Sequence, residues 1–129
     1  MNVSRLEKFL SQFRFGLKMN KLSVTLEKTS LAYSILELFL AKGFINGFFI
    51  CDNKIIVFLR FFGFKNILRL GCQVSKSSSP FYLSFNQLCF FLKGFRSRRF
   101  YIISTPLGFF FSNDALKYSL GGEVLFYIY

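Results

Sequence analysis

A chain of 129 residues, 53% of them apolar, can bury the core of one domain or of two small lobes, which excludes intrinsic disorder. It contains 21 Phe and six Tyr but no Trp, and its 17 Lys and Arg against six Asp and Glu leave a formal charge of +11. There is no His, so Ser–His and Cys–His nucleophile pairs and His-containing metal sites are excluded as well.

Along the chain, Ser4–Gly16 carries Leu6, Phe9, Leu10 and Phe13, with Leu17 beyond, at spacings of three and four. This predicts an amphipathic helix ending near Gly16. Leu22–Leu26 alternates apolar and polar residues, the pattern of a short half-buried strand. Thr29 or Ser30 caps a second helix running to about Lys42, with Leu31, Ile35, Leu38 and Phe39 on one face. Gly43 is placed to stop it in the left-handed conformation. Phe44–Ile50 and Lys54–Phe62 predict a hairpin around Cys51-Asp52-Asn53, since Asp and Asn tolerate positive φ. Gly63 closes a first lobe.

Further on, Ile67–Val74 predicts a strand, Ser75–Ser79 a polar loop, Pro80–Leu83 an extended piece and Asn86–Lys93 a short helix stopped by Gly94. Phe100–Ile103 is an apolar strand that turns at Ser104-Thr105-Pro106-Leu107-Gly108 into extended Phe109–Phe111. Ser112 is expected to cap a short helix Asn113–Leu120, with Asp114 in the first turn where the dipole favours negative charge. Gly121-Gly122 ends that helix ahead of a last strand, Val124–Tyr129. Strands mixed with short helices, without regular alternation, make an α+β fold. Residues 1–64 form an N-terminal lobe of two helices and a short antiparallel sheet, and residues 65–129 a C-terminal lobe of mixed strands and short helices.

Acids occur only at Glu7, Glu27, Glu37, Asp52, Asp114 and Glu123. Between Asp52 and Asp114 the chain carries Lys54, Arg60, Lys65, Arg69, Lys76, Lys93, Arg96, Arg98 and Arg99 with no acid to pair them. Such a block calls for a polyanion: nucleic acid first, an anionic membrane surface second, with a merely basic soluble surface as the plain alternative. Membrane insertion is not expected, because a spanning helix needs about 20 apolar residues. The uncharged stretches Ser77–Leu92 and Phe100–Asn113 are interrupted by Pro80 and by Ser104-Thr105-Pro106. Glu7 and Lys8 sit where the apolar part of a secretory signal would begin, and Asn2–Lys21 leaves an amphipathic transit peptide open, with Glu7 against it. Cys51, Cys72 and Cys89 stand far apart without a CxxC pair and read as reduced core residues.

Nothing in the sequence assembles a reaction. No GxxxxGK[ST] loop or dinucleotide fingerprint occurs, and Cys72 or Ser104 would lack an activating His. Neither enzyme activity nor a cofactor, metal or small-molecule substrate is expected. Most Phe residues read as core, although Phe109, Phe110 and Phe111 cannot all face inward from one strand. Two turns have more to offer. Ser104-Thr105-Pro106-Leu107-Gly108 presents two hydroxyls, backbone N–H groups and a glycine that lets another backbone approach. Such groups suit ribose 2′-OH, phosphate oxygens and minor-groove base edges, the alternative being an ordinary turn. Gly121-Gly122-Glu123 reads as a helix stop, or as a bend whose acid orients an Arg or accepts from a base amino group.

These turns carry a resemblance. Ile102-Ile103-Ser104-Thr105-Pro106-Leu107-Gly108, followed by Gly121-Gly122-Glu123-Val124-Leu125, resembles the C-terminal signature of the family of small-subunit ribosomal protein eight. Lys42-Gly43-Phe44-Ile45, Val74-Ser75-Lys76 with Tyr82, and Leu10-Ser11 with Arg14 resemble further family segments, so the likeness runs from about Leu6 to Tyr129. It implies a two-lobed α+β protein that binds a stem in the central domain of the small-subunit rRNA, acts early in subunit assembly and touches neighbouring ribosomal proteins. The residues it nominates are Arg14, Lys76, Tyr82, Ser104, Thr105, Gly108, Gly122 and Glu123, with Pro106 and Gly121 in the same turns.

The chain also departs from the family pattern. Pro106 removes a donor, Phe111, Ser112 and Leu116 replace more polar residues, and Phe95–Phe100 is longer and carries Arg96, Arg98 and Arg99. These arginines are expected to contact phosphate. The abundance of Phe suggests thymine-rich coding, as in organellar genomes, and hence a mitochondrial small ribosomal subunit. A basic peripheral membrane protein and an off-ribosome RNA-binding regulator are the rival readings.

Overall fold

Apolar side chains at helical spacing place Leu6, Phe9, Leu10 and Phe13 on one buried face of helix α1 (Val3–Lys18). The computed structural model describes residues 3–19, 21–63, 65–76, 78–93 and 98–129. They divide into two compact units, Met1–Arg69 and Leu70–Tyr129. The helix ends, as expected, close to Gly16. A Cβ there would lie 2.3 Å from a Val24 methyl in strand β1 (Ser23–Glu27), so the glycine lets helix and sheet approach closely. The segment left open as a transit peptide is thus packed into the first unit along α1.

Helix α2 (Ser30–Ala41) starts where the Thr29 hydroxyl accepts from the Ala32 N–H at 3.1 Å. It ends as foreseen at Gly43, whose φ of 79° allows the Phe44 and Gly43 N–H groups to reach the Phe39 and Leu40 carbonyls. Phe13 of α1 meets Phe39 of α2 edge-on. Strands β2 (Ile45–Cys51) and β3 (Lys54–Leu59) form the expected hairpin, with Asp52 at φ 55°, in a sheet ordered β1-β3-β2. β3 stops earlier than expected, at Leu59; beyond it the Arg60 carbonyl accepts from the Ile67 N–H at 2.9 Å, and the Arg60 guanidinium donates to the Gly43 carbonyl at 2.9 Å. A separate hairpin then forms from β4 (Phe61–Phe62) and β5 (Lys65–Asn66) around Gly63, at φ 66°. Ile67–Arg69 is irregular, not the start of a strand, and goes with the first unit.

The second unit is built on a sheet ordered β6-β10-β8-β9, with β7 also pairing β10. Its strands are β6 (Leu70–Gln73), β7 (Tyr82–Leu83), β8 (Phe100–Thr105), β9 (Gly108–Phe111) and β10 (Gly122–Ile128), all paired antiparallel. Helices α3 (Phe85–Phe91) and α4 (Ser112–Lys117) cover it over a core of Leu88, Leu92, Tyr101, Ile103, Ala115 and Val124. The whole is α+β. α3 is opened by a reciprocal capping box between Ser84 and Gln87. The proposed stop at Gly94 lies outside the described residues.

Three expectations are corrected here. Ser112 does not cap α4; its buried hydroxyl accepts from the Tyr101 N–H instead, and Phe111 holds the capping position with no side-chain bond. The diglycine does not end α4 either. Ser119, at φ 57°, takes the left-handed position, and the Leu120 and Ser119 N–H groups reach the Ala115 and Leu116 carbonyls. The cysteines are free, but Cys51 and Cys72 are exposed rather than core residues. Among the described residues no helix is long and apolar enough to cross a membrane.

Two outcomes follow from these contacts. Ser119→Gly should raise unfolding stability by about 0.5–1 kcal/mol in urea titration by relieving the left-handed strain. On α1, Lys8 bonds Glu27 at 2.5 Å and holds that carboxyl below its ordinary 4.5 by hydrogen bonding and charge. The small contribution of this exposed pair should be complete above that value and fade as pH falls through the lowered one. Glu27→Gln should abolish that dependence in pH-resolved melts.

Candidate nucleic-acid interface

The start of β10 is the point where three strands meet. Gly122 and Glu123 pair with Leu83 and Tyr82 of β7 on one side, and Glu123 pairs with Ser104 of β8 on the other. Both glycines are required by space, not by φ. A Cβ on Gly122 would lie 2.1 Å from the Ser104 carbonyl oxygen, and one on Gly121 would lie 2.6 Å from that of Leu83. The hydroxyl-bearing turn and the diglycine bend are therefore side by side. Neighbouring strands are spaced about 4.8 Å apart, so Tyr82 and Ser104 flank β10 at roughly 10 Å. An open cavity of about 530 Å³ lies over this junction, lined by Tyr82, Ser84, Gln87, Ser104, Pro106, Gly121, Gly122 and Glu123.

The candidate residues differ in what they can offer. Tyr82 is 67% exposed on β7, with its ring free to meet a flat apolar surface. Ser104 is half-buried, and among the described residues its hydroxyl has no hydrogen-bond partner. Thr105 behaves differently from expectation: it is 8% exposed, and its hydroxyl donates to the Gly108 carbonyl at 2.8 Å and accepts from the Leu107 N–H at 3.2 Å. It builds the turn. Pro106 and Leu107 form the exposed tip of this two-residue hairpin loop, and Pro at the first tip position presets the turn. Gly108 sits at φ 124° with open space around a would-be Cβ, so conformation, not close approach, demands a glycine there.

Glu123 is corrected more strongly. It is 4% exposed, and its Oε2 accepts from the hydroxyl of Ser75, which is wholly buried. The carboxylate is an internal acceptor and not a partner for an Arg or a base amino group. Lys76, next to Ser75, is exposed and lies in a tight turn bonded to Ser79.

Of the arginines, Arg98 is exposed, whereas Arg99 lays its guanidinium over the Tyr127 ring at 4.3 Å and reaches the Tyr101 hydroxyl at 3.5 Å. That bond to Tyr101 raises its already high pKa. Tyr127 in turn lies against Gly71, where a Cβ would come within 2.0 Å of the ring. Arg99 is thus committed to its own sheet. Arg96 lies outside the described residues. Arg14 is exposed on α1 in the first unit. The acids of the second unit leave the groove uncompensated: Asp114 serves the first turn of α4 and Glu123 is buried. No group of acids, Cys and His able to hold a metal occurs among the described residues.

Ser75 is marked in the sequence only as part of the family-like Val74-Ser75-Lys76 segment, with no role of its own, and Ser84 and Gln87 carry parts of this site without being marked at all. For the last two the signal is present, since Ser-x-x-Gln is a capping box. The role of Ser75 has no local signature, because its partner is 48 residues away.

The profile of the family described as Ribosomal protein S8 matches residues 4–129. The chain belongs to this family. It is 35% identical over 122 residues to the small ribosomal subunit protein uS8 of Buchnera aphidicola subsp. Schizaphis graminum, covering 92% of each chain. With uS8 of Ehrlichia ruminantium (strain Welgevonden) it shares 32% over 123 residues, 91% of this chain and 90% of the other. With uS8m of Acanthamoeba castellanii it shares 28% over 124 residues, 95% and 97%. The two turns that carry the resemblance, Ser104–Gly108 and Gly121–Glu123, are joined where Glu123 of β10 pairs with Ser104 of β8.

This S8 junction has a direct test. Gly122→Ala must push the Ser104 backbone aside, at a cost of about 1–3 kcal/mol by the measure of overpacked cores. Denaturant titration should show that loss. Gly47→Ala, where nothing lies within 4 Å and φ is not positive, should stay within about 0.5 kcal/mol of wild type.

Proposed function

We propose that this chain is a structural, non-enzymatic constituent of the small ribosomal subunit, which holds a stem of the small-subunit rRNA and so supports subunit assembly and translation. Membership of the S8 family and relatives named small ribosomal subunit protein support that role. The observation that carries the RNA assignment is the junction itself, where an unengaged hydroxyl, two bare glycine backbones and an exposed tyrosine border one open groove. These are sequence-tolerant contacts for sugar edges and the shallow RNA minor groove. Ser104 and the backbone at Pro106, Gly121 and Gly122 hydrogen-bond or approach the RNA closely, and Tyr82 packs against sugar or base. Lys76, Arg98 and Arg96 neutralise phosphates. Thr105, Gly108 and Glu123 shape the groove, and Arg14 gives the first unit its own RNA contact. Neighbouring ribosomal proteins are the remaining partners. The compartment we propose is the mitochondrion, supported by the uS8m relative and by a Phe content expected from thymine-rich coding.

Titration against the central-domain stem at two salt concentrations tests this reading. Ser104→Ala should weaken binding by about 0.5–1.5 kcal/mol with an unchanged salt slope. Lys76→Gln with Arg98→Gln should flatten the slope by nearly one unit for each phosphate no longer neutralised. Equal slopes would remove both cations from the phosphates, and a wild-type chain that ignores the stem would overturn the RNA assignment. Sedimentation of organelle lysate should place the chain with the mitochondrial small subunit; its recovery with cytosolic ribosomes or with vesicles alone would contradict the compartment.

A further inference from the structure

Little packing holds Tyr82 in place. Its side chain is largely exposed, and β7 is only two residues long, paired with Gly122 and Glu123 alone. So short an edge strand peels away easily unless something behind it is fixed. What lies behind it is Ser75. This residue is fully buried, and each of its polar groups is engaged: the hydroxyl donates to Glu123 Oε2 and accepts from the Phe81 N–H at 3.1 Å. Its N–H donates to the Leu125 carbonyl at 3.2 Å, and its carbonyl accepts from Gln73 Nε2 at 2.8 Å. Phe81, immediately before Tyr82, also accepts from the Val124 N–H at 3.0 Å. A single hydroxyl thus ties the carboxylate at the head of β10 to the backbone that leads into β7.

We infer that Ser75 is a positioning residue of the groove: bonded to Glu123 and to the Phe81 amide, it fixes β7 and so holds Tyr82 at the distance from Ser104 that a bound RNA stem requires. The buried carboxylate then has its purpose. With so little of it exposed, it cannot read a base; it accepts instead from the buried Ser75 hydroxyl. The turn bearing Lys76 is closed by its bonds to Ser79 and starts at the same fixed point. This inference rests on the rRNA reading of the groove, and it adds to that reading a residue that touches no RNA.

The experiment combines RNA titration with a double-mutant cycle and amide exchange on the full chain. Ser75→Ala, measured well below its unfolding temperature, should bind the stem about ten-fold more weakly with an unchanged salt slope, the effect of losing one buried bond of this kind. In a Tyr82→Ala background the same change should alter binding by less than about two-fold, because the residue acts through Tyr82. A role confined to overall stability would lower the melting temperature of both backgrounds without this coupling. Exchange of the Val124 amide, which depends on Phe81 staying docked, should speed up at least about ten-fold in Ser75→Ala. Should Ser75→Ala not fold, Ser75→Cys, close in volume with only a weak donor, should show the same losses in smaller size. Wild-type affinity in the variant, or a ten-fold loss that persists in full without Tyr82, would overturn the inference. If the wild-type chain does not bind the stem, the RNA reading fails by itself, and an unchanged Val124 exchange rate would then refute the positioning role independently.

Discussion

The structure of the second unit depends on a steric constraint: at residues 121 and 122 there is no room for a side chain. The Ser104 carbonyl occupies the place of a Gly122 Cβ, and the Leu83 carbonyl and Phe85 amide occupy that of Gly121. This crowding is what allows β10 to run between β7 and β8 and bring Tyr82, Ser104 and the bare backbone to one edge. A side chain there would separate the strands and lower the floor of the groove. The apolar remainder of β10, Val124 to Ile128, is buried almost without a break and anchors that edge in the core.

The polar parts of the unit follow a consistent division of labour. Thr105, Glu123, Ser75 and Ser112 are buried and spend their hydrogen-bonding capacity inside the protein, as buried polar groups must. Ser104, Tyr82, Lys76 and Arg98 remain accessible. Arg99 is intermediate, its charge retained but its plane committed to Tyr127. The first group sets the shape of the edge, and the second leaves polar, charged and aromatic groups on its surface. The first unit follows the same logic with apolar groups: Gly16 brings α1 down onto Val24, and Phe13 and Phe39 interlock.

What depends on near neighbours in the chain was readable from the sequence. The spacing of Leu6, Phe9, Leu10 and Phe13, the Thr29 cap, the Gly43 stop and the Asp52 turn each act within a few residues, and each occurs where local chemistry places it. The misreadings have one cause in common. Ser112 is drawn to Tyr101 across a strand pair, and Glu123 is taken up by Ser75. The diglycine likewise looks like a helix stop, when what it supplies is clearance for partners distant in the chain. Of the site, the two motif-bearing turns were legible because they are contiguous. The roles within them were not, since Thr105 and Ser104 differ only in which way the fold turns their hydroxyls.

On the reading proposed above, the edge formed by Tyr82, Ser104 and the diglycine faces ribosomal RNA. A photo-crosslinking amino acid in place of Tyr82, activated in intact small subunits, tests it most directly. A covalent adduct with small-subunit rRNA is expected, mapped to one stem of the central domain and lost when that stem is deleted. Adducts confined to protein, in particles that contain the chain and the stem, would contradict it.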